Sequence, residues 1–600
     1  MTGLLAPAAA ASGALFGVER SLGGKRWQLA EADDRLVGEI VRATGCPDAL
    51  ARLMASRGID AAAAPGFLAP RLRDAFPDPS RFADMDKAAG LIWDAVEAKR
   101  RIALFADYDV DGATSAAQLV RWLRAVGHDP LVYIPDRIEE GYGPNAAAFA
   151  RLKEQGAELV VTLDCGAAAL EPLEAARSLG LAVVVVDHHM MKQEVPPAAA
   201  LVNPNQPGDE SGCGHMAAAG VTFVLLAALN REGRRRAAFR GDEPDIIALA
   251  DLAALGTICD VVPLTGINRA LVAQGLKVMS GWAKPGLAAL AEVAGLEGPA
   301  SPYHAGFLIG PRINAGGRVG KSDLGVRLLS TEDAGEARRI ALELDALNAE
   351  RRAIEADVLE AAIAQVEAAG AGGDSPLLLA AGPNWHPGVI GIVAGRLKER
   401  FNRPALVVGL DEAGLGKGSG RSVAGVNLGA AVAAAHEAGL LIAGGGHPMA
   451  AGLTIAADRL EDFRAFMTER LMGEWKSADE ARTARFDGVL SPSAVTFEFC
   501  EALALAAPYG AGHPEPRFAF ADLRRTYAER VGSDHVRFAF EGAGGGRLSG
   551  IAFRCADAPI GQALLSGGEG PWHAAGRLKA SDNRFGRKAE FHLEDLAPAR

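Results

Sequence analysis

The sequence predicts an α/β protein built in parts: a doubly wound parallel sheet, a long connecting helix, a smaller α/β region and a C-terminal OB-like β-barrel. Three observations carry that prediction. Four short apolar runs, at Ile102–Ala106, residues 131–134, Leu159–Leu163 and residues 181–186, alternate with helical segments, as parallel strands buried on both faces do. The apolar positions Ile340, Leu344, Leu347, Ile354 and Val358 keep a helical period that continues to about residue 369, longer than most globular helices. After Phe486, alternating runs such as Val536-Arg-Phe-Ala-Phe540 recur between Gly-rich turns, the texture of a small barrel.

Taken in order, residues 1–80 read as an N-terminal extension, helical in pattern and broken by Pro65, Pro70, Pro77 and Pro79. Residues 4–18 are Ala-rich and apolar, but no basic residue precedes them and Pro7 interrupts them. They read as a ragged terminus rather than a secretory signal. Residues 81–330 make the first α/β domain. Residues 331–375 hold the connecting helix, with Ser330 or Thr331 as its cap and Glu332 and Asp333 in its first turn. A Gly-rich linker closes it at 370–376. Residues 376–472 make the second α/β domain and residues 485–600 the barrel. No internal repeat is evident.

Composition bounds the function. Of 600 residues, 49% are hydrophobic and 23% charged, which excludes a disordered or fibrous chain. No run of about 18 apolar residues exists, so no transmembrane helix is expected. Six cysteines stand singly without a CxxC pair, which favours a reducing, cytoplasmic setting. The net charge of −12 taken whole argues against a generic nucleic-acid binder. Locally the balance reverses: residues 312–327 carry four Lys/Arg against one acid, and residues 391–425 carry six against three.

The chemistry concentrates at strand ends. Asp107, Asp109 and Asp111 follow the first run, Asp164 the third, and Asp187-His188-His189 the fourth. Parallel strands of one sheet end on one edge, where ligands bind in open α/β folds. A single such aspartate is as well read as a helix cap, and a histidine pair as a surface feature. Together they bring more carboxylates to one crevice than can stay charged without cations. Carboxylate with some imidazole suits Mg²⁺ or Mn²⁺, and histidine tilts the choice towards Mn²⁺. Asp260, after an apolar helical stretch, is available as a further ligand. The Gly418-Ser419-Gly420-Arg421-Ser422 segment reads as a Gly-rich loop offering amides, hydroxyls and a guanidinium to an anion. His447, after three glycines, sits where a loop approaches a phosphate closely.

At these residues the chain resembles a known family. DYDVDG, LDCG, DHH and GTICDVVPL are similar to the four motifs of the DHH phosphoesterase superfamily, and GGGHPMAAG to its DHHA1 signature. Within the superfamily, EGYG at 140–143, PRINAGGR at 311–318, WHPGVIG at 385–391, GSGRS at 418–422 and PYGAGHPEP at 508–516 resemble the RecJ family, as does the tail at 584–588. The resemblance implies a DHH domain at 81–330, a DHHA1 domain at 376–472 and a nucleic-acid-binding OB-fold at 485–600. It implies two Mn²⁺ or Mg²⁺ ions held by Asp107, Asp109, Asp111, Asp164, His188 and Asp260, with Asp164 bridging and His189 facing the scissile phosphate. Arg137, Ser419 and Arg421 would form the pocket for a 5′-terminal phosphate, with Ser422 and His447 nearby, and Arg312 and Arg318 would line the strand path. The expected activity is 5′-to-3′ hydrolysis of single-stranded DNA in recombination and repair, in the cytoplasm. Single-strand-binding protein and a recombination or repair helicase are the partners the resemblance implies. The alternatives are a DHH phosphodiesterase or oligoribonuclease acting on short or cyclic nucleotides, and a non-catalytic DNA-binding scaffold.

Overall fold

The computed structural model describes residues 13–599 apart from 138–139, 192, 371–374, 481, 567–569 and 584–585. The N-terminal half of the Ala-rich segment, most of the 370–376 linker and Arg584 in the tail lie outside the described residues. Two compact units result. One comprises residues 71–478 with 510–512; the other comprises residues up to 70 with 479–509 and 513–600.

The first unit contains a five-stranded, wholly parallel sheet in the order Leu131–Tyr133, Ile102–Ala106, Leu159–Leu163, Ala182–Val186, Ala200–Val202. The expected strands at 102–106 and 159–163 match to the residue, and both are buried at every position. The three-residue strand Ala200–Val202 was not foreseen, because a run so short has no period to read. Ile102, Leu104 and Ala106 face a core shared with helix Val110–Ala125, while Ala103 and Phe105 face the opposite core, with helices Ala146–Glu154 and Leu170–Ser178. The chain therefore reverses direction across the sheet between Ile102–Ala106 and Leu159–Leu163. That switch point is where a doubly wound sheet leaves an open crevice.

Helix Val110–Ala125 starts tightly against the loop before it. A Cβ added at Gly112 would lie 2.3 Å from the Asp107 carbonyl oxygen. Gly112→Ala is therefore expected to cost about 1–3 kcal/mol of stability through overpacking and to displace the loop that carries Asp107. A thermal midpoint and activity both equal to wild type would refute this.

The connecting helix spans Ala334–Ala368. Its cap is Asp333, which accepts from the Glu336 amide at 2.7 Å, and not Ser330 or Thr331. Ser330 ends the preceding helix Leu324–Ser330, and the Thr331 hydroxyl donates to Glu336 instead. The first half of the long helix (Ala337, Ile340, Ala341, Leu344) packs in the core of the first sheet. Its second half (Val358, Ala362, Val366) packs against the second.

The second sheet runs Ala443–His447, Ala450–Ala456, Leu415–Arg421, Ala405–Leu410, Leu378–Pro383, and only its last two strands are parallel. The turn at 411–414 sets the antiparallel step, with Asp411 accepting from the Ala413 and Leu415 amides. The segment read as a Gly-rich loop is thus mostly strand. Its glycines alternate with Lys417, Ser419 and Arg421, and a Cβ at Gly418 or Gly420 would fall 2.6 Å from Leu453 or Leu406. Those glycines make room for large neighbours on one face while Ser419 and Arg421 occupy the other. The glycines before His447 likewise belong to a strand.

In the second unit, strands Arg517–Val531, His535–Gly542, Arg547–Ala552, Gly586–Pro598 and Trp572–Asn583 pair in that order, and the last returns to the first. This closes a five-stranded barrel with OB-type connectivity around Phe518, Phe520, Phe538, Phe540 and Phe591. Among residues 13–70, helices Asp34–Thr44 and Asp48–Ser56 bear out the helical pattern. Strand Arg26–Leu29 is an addition. It pairs in parallel with Thr483–Phe486, and Trp27 donates to the buried Asp595 carboxylate at 2.9 Å. Among the described residues no helix is long and apolar enough to cross a membrane.

Candidate active site

The switch point gathers the acids. Asp107 follows strand Ile102–Ala106, Asp164 follows Leu159–Leu163, and the His188-His189 pair follows Ala182–Val186. Asp260 caps the C-terminus of helix Ala250–Cys259. Ligand atoms of Asp107, Asp109 and Asp164 lie within 4.8 Å of one another, as do those of Asp111, His188 and Asp260, and those of Asp164, His188 and His189. His188 Nε2 stands 3.4 Å from Asp164, 3.6 Å from Asp260 and 3.8 Å from Asp111. Asp109 also plays the plain structural part, capping helix Val110–Ala125 by accepting from the Asp111 and Gly112 amides. The Asp111 carboxylate is braced by the Ala218 and Ala219 amides at 2.7 and 2.8 Å, at the start of helix Ala218–Arg236.

The electrostatics of this set call for cations. Burial, and then the charge of Asp109, push Asp107 up to about 8 and Asp260 up to about 7. Burial and the neighbouring carboxylates drive Asp111 and Asp164 well above the usual range. Asp107 Oδ1, Asp164 Oδ1 and His188 Nε2 are buried with no hydrogen-bond partner, a costly state for polar atoms unless something else satisfies them. Two orphaned carboxylate oxygens and one imidazole nitrogen, converging from three strand ends, fit divalent Mn²⁺ or Mg²⁺.

The two histidines differ. Burial, and then the charge of His189, push His188 down to about 4, so it stays neutral, as a ligand must be. The carbonyls of His188 and His189 are held by Asn205 and Asn203. Burial opposes a charge on His189, but the hydrogen bond and charge of Asp187 outweigh it and raise the imidazole to about 9. His189 Nδ1 lies 2.7 Å from Asp187 Oδ1. Asp187 also accepts from the amides of Ala167, His188 and His189, so it orients the pair. The Tyr142 hydroxyl donates to the Asp164 carbonyl at 3.1 Å and lies against the His189 ring.

A cationic cluster stands beside the acids. The Arg137 guanidinium lies over the Tyr108 ring, 5.2 Å from its centroid. Burial and then the charge of Arg137 push Arg318 down to about 10 and also lower Arg421. Arg318 donates to the Gly388 carbonyl, and Arg421 to the Gly420 carbonyl and Ser419 hydroxyl. None of these three makes an ion pair among the described residues. Such a set is built for an anion. Ser419 and Arg421 share one face of their strand, and the row continues from Arg421 through Ala450 to the exposed His447. A Cβ at Gly445 or Gly452 would meet nothing within 4 Å, so the floor beside Ser419 is open.

Two of the expected contacts fall elsewhere. Ser422 is buried and donates to the Val426 carbonyl at 2.8 Å, which takes its hydroxyl off the anion face. Arg312 is committed to Asp345 at 2.9 Å and to the Leu308 carbonyl. Sequence reasoning counted Asp187 among the converging acids without a task of its own, and gave none to Tyr142 or Gly391. A Cβ at Gly391 would lie 2.9 Å from the Ser419 hydroxyl and 3.2 Å from Arg421, so a side chain there would crowd the pocket. Each sits in a motif visible in the sequence, but what each touches depends on the fold.

An acid-and-histidine cluster at the switch point of a 2-1-3-4-5 parallel sheet, joined by a long helix to a second α/β domain, defines a DHH-type phosphoesterase. Residues 101–257 match the DHH family, N-terminal domain; residues 374–473 match the DHHA1 domain; residues 486–595 match the RecJ OB domain. The chain belongs to the RecJ family. It is 39% identical over 481 residues to the single-stranded-DNA-specific exonuclease RecJ of Dickeya dadantii, covering 78% of this chain and 83% of the relative. It is 36% identical over 517 residues to that of Bacillus subtilis, covering 85% of this chain and 64% of that relative, just under two thirds of its length. The fold matches the crystal structure of Thermus thermophilus RecJ in complex with Mn²⁺ with a TM-score of 0.79, at 30% identity, over 95% of this chain and 79% of that one. The same protein in complex with Mg²⁺ matches with a TM-score of 0.74.

Proposed function

We propose that this chain is a metal-dependent exonuclease that degrades single-stranded DNA from 5′ to 3′ and serves DNA recombination and repair. The observation that carries the reading is the set of orphaned atoms on Asp107, Asp164 and His188 beside Arg137, Arg318 and Arg421, which make no ion pair among the described residues. Asp107, Asp109, Asp111, Asp164, His188 and Asp260 would hold two ions, with Asp164 shared. When bound, the ions supply a nucleophile at neutral pH and neutralise charge on the phosphoryl group.

The chain's own groups do the rest. Arg137, Ser419 and Arg421 hold the 5′-terminal phosphate, with His447 at the end of their row and Arg318 alongside. His189, kept protonated by Asp187, donates a hydrogen bond to the scissile phosphate. Water adds to phosphorus, the P–O3′ bond breaks, and the 3′ oxygen leaves with a proton. The released piece is a deoxynucleoside 5′-monophosphate. The shortened strand keeps a 5′-phosphate, ready for the same pocket. We assign the DHH domain to residues 81–330, the DHHA1 domain to 376–472 and an OB domain that helps hold the strand to 485–600. Single-strand-binding protein and a repair helicase are the expected partners, and the cytoplasm the expected setting.

The test is product analysis on 5′-labelled and 3′-labelled single-stranded DNA with Mn²⁺ or Mg²⁺. Mononucleotides released from the 5′ end support the reading; cleavage only of dinucleotides, or of none, overturns it. DNA affinity should fall with salt despite the net charge of −12. For single strands the slope of log K against log salt is about −0.7 per phosphate contact. Binding by a catalytically inactive variant that stays flat between low and moderate salt would contradict a cationic track.

A further inference from the structure

Arg318 also lines a cavity of about 550 Å³ whose other residues the mechanism above does not use. Its walls come from helix Gly310–Val319, the connecting helix and helix Pro387–Phe401. Five arginines line it, Arg312, Arg318, Arg351, Arg352 and Arg396, against the single carboxylate of Glu355. Glu355 is taken by Arg351 at 2.6 Å and Arg396 at 3.4 Å, Arg396 also meets Glu399 at 3.7 Å, and Arg312 is paired with Asp345. Arg352 is exposed and makes no ion pair among the described residues. Arg318 and Arg352 therefore leave the lining with a surplus of positive charge that suits an anion.

The rim is aromatic. Phe307 is 70% exposed and stacks on Tyr303, 60% exposed, with ring centroids 5.4 Å apart and planes at 22°. Both belong to a π-helical turn at His304–Ile309 and the residue before it. Such turns are rare and are found most often at functional sites. An open aromatic face is a stacking platform for a base of any identity. Guanidinium groups below and an aromatic ring at the mouth fit one nucleotide in a space of this size.

The cavity adjoins the reacting end of the substrate through two shared elements. Arg318 lines it and also stands within charge range of Asp109 and Arg137. Helix Pro387–Phe401 presents Gly391 to Ser419 and Arg421, and Ile392 and Arg396 to the cavity. In a 5′-to-3′ reaction the released nucleotide lies on the 5′ side of the cut, away from the strand still to be degraded.

Resting on the exonuclease reading, we propose that this arginine-lined cavity receives the released deoxynucleoside 5′-monophosphate, with its phosphate on Arg352 and Arg396 and its base on Phe307. It is a second nucleotide site, distinct from the pocket of Ser419 and Arg421, and it takes the product out of the way of the next 5′ end.

The experiment measures binding of radiolabelled dAMP and of a 5′-phosphorylated oligonucleotide to the full-length protein by equilibrium dialysis, in wild type, the Arg352→Ala/Arg396→Ala double variant, Phe307→Ala and Arg421→Ala. All four substituted side chains leave the buried core intact, and a thermal melt checks the fold. Losing charged hydrogen bonds should weaken dAMP binding in the double variant about ten-fold or more. Phe307→Ala should weaken it less. Oligonucleotide binding should hold in both, and dAMP binding should persist in Arg421→Ala. Loss of dAMP binding in Arg421→Ala alone would mean the end pocket is the sole nucleotide site. An equal loss of dAMP and oligonucleotide in the double variant would make the cavity part of the strand path. Either result overturns the proposal, as does wild-type protein that binds no dAMP. Failure of the exonuclease reading shows separately, as wild-type protein that releases no nucleotide.

Discussion

Asp164→Asn should abolish hydrolysis of single-stranded DNA, lowering kcat by about a thousandfold or more, while the protein stays folded. Asp164 is buried at the centre of the cluster, and its Oδ1 lies 3.4 Å from His188 Nε2 and 3.9 Å from His189 Nδ1. If Asp164 helps hold the ions, as proposed above, it would help fix both the nucleophile and the charge clamp they supply, so its loss would remove several kcal/mol of transition-state stabilisation. Asparagine is the right substitution because Asp164 has φ near 61°, a region that asparagine tolerates and alanine does not. The stability readout has the opposite sign. Burial and the neighbouring carboxylates already hold the Asp164 carboxyl well above its ordinary range, so removing one acid relieves repulsion in metal-free protein. The metal-free variant should melt no lower than wild type, and Mn²⁺ should raise its midpoint less, because the ions bind the folded state more weakly. Turnover like that of wild type, measured with metal present, would refute the two-ion site.

Arg421→Ala should impair cleavage of 5′-phosphorylated ends about ten- to a hundred-fold and cleavage of 5′-hydroxyl ends much less. Arg421 is held by the Gly420 carbonyl and the Ser419 hydroxyl, lies within charge range of Arg137 and makes no ion pair among the described residues. A terminal monophosphate carries more charge than an internal diester, so a charge-assisted bond there distinguishes ends from interiors. A hydrogen bond to a charged group is worth about 1.5–3 kcal/mol, which sets that range. The measurement is kcat/KM for the two end types in wild type and variant. If both substrates slow by one factor, Arg421 is a general backbone contact and the end-pocket assignment fails.

The architecture was legible where an apolar run or a helical period is long enough to read, which the three buried residues of Ala200–Val202 are not. Ile102–Ala106 and Leu159–Leu163 are buried on both faces, so their apolar runs announce them without tertiary information. The aspartates stand directly after those runs, and because parallel strands end on one edge, convergence of the acids followed from order alone. The periodic stretch from Ile340 to Val358 similarly gave away the connecting helix. The strand Leu415–Arg421 was harder. Its glycines look like a loop in sequence and become strand residues only because Leu406, Leu428 and Leu453 fill the space where side chains would stand. The cap at Asp333 was missed for a local reason: Ser330, Thr331 and Asp333 all offer a capping oxygen, and the Asp333 carboxylate is the one that reaches the Glu336 amide.

What the sequence determined by itself was the identity and order of the chemistry: hard acids and histidines at successive strand ends, and a basic Gly-rich segment far downstream. Only the tertiary structure decided how those groups divide the work. Asp187 and His188 are adjacent in the chain, yet Asp187 turns to backbone amides and to His189 while His188 turns to the acid cluster. Ser419 and Arg421 share one face of their strand while Ser422, one residue on, is buried and donates to the Val426 carbonyl. Arg137, Arg318 and Arg421 are separated by about 100 residues or more at each step and form a site only once the two α/β domains share a helix. Sequence pattern reports burial and period, which are local. Where a charged side chain finds its partner is set by which distant groups the packed core leaves within a few ångströms, and no local pattern carries that.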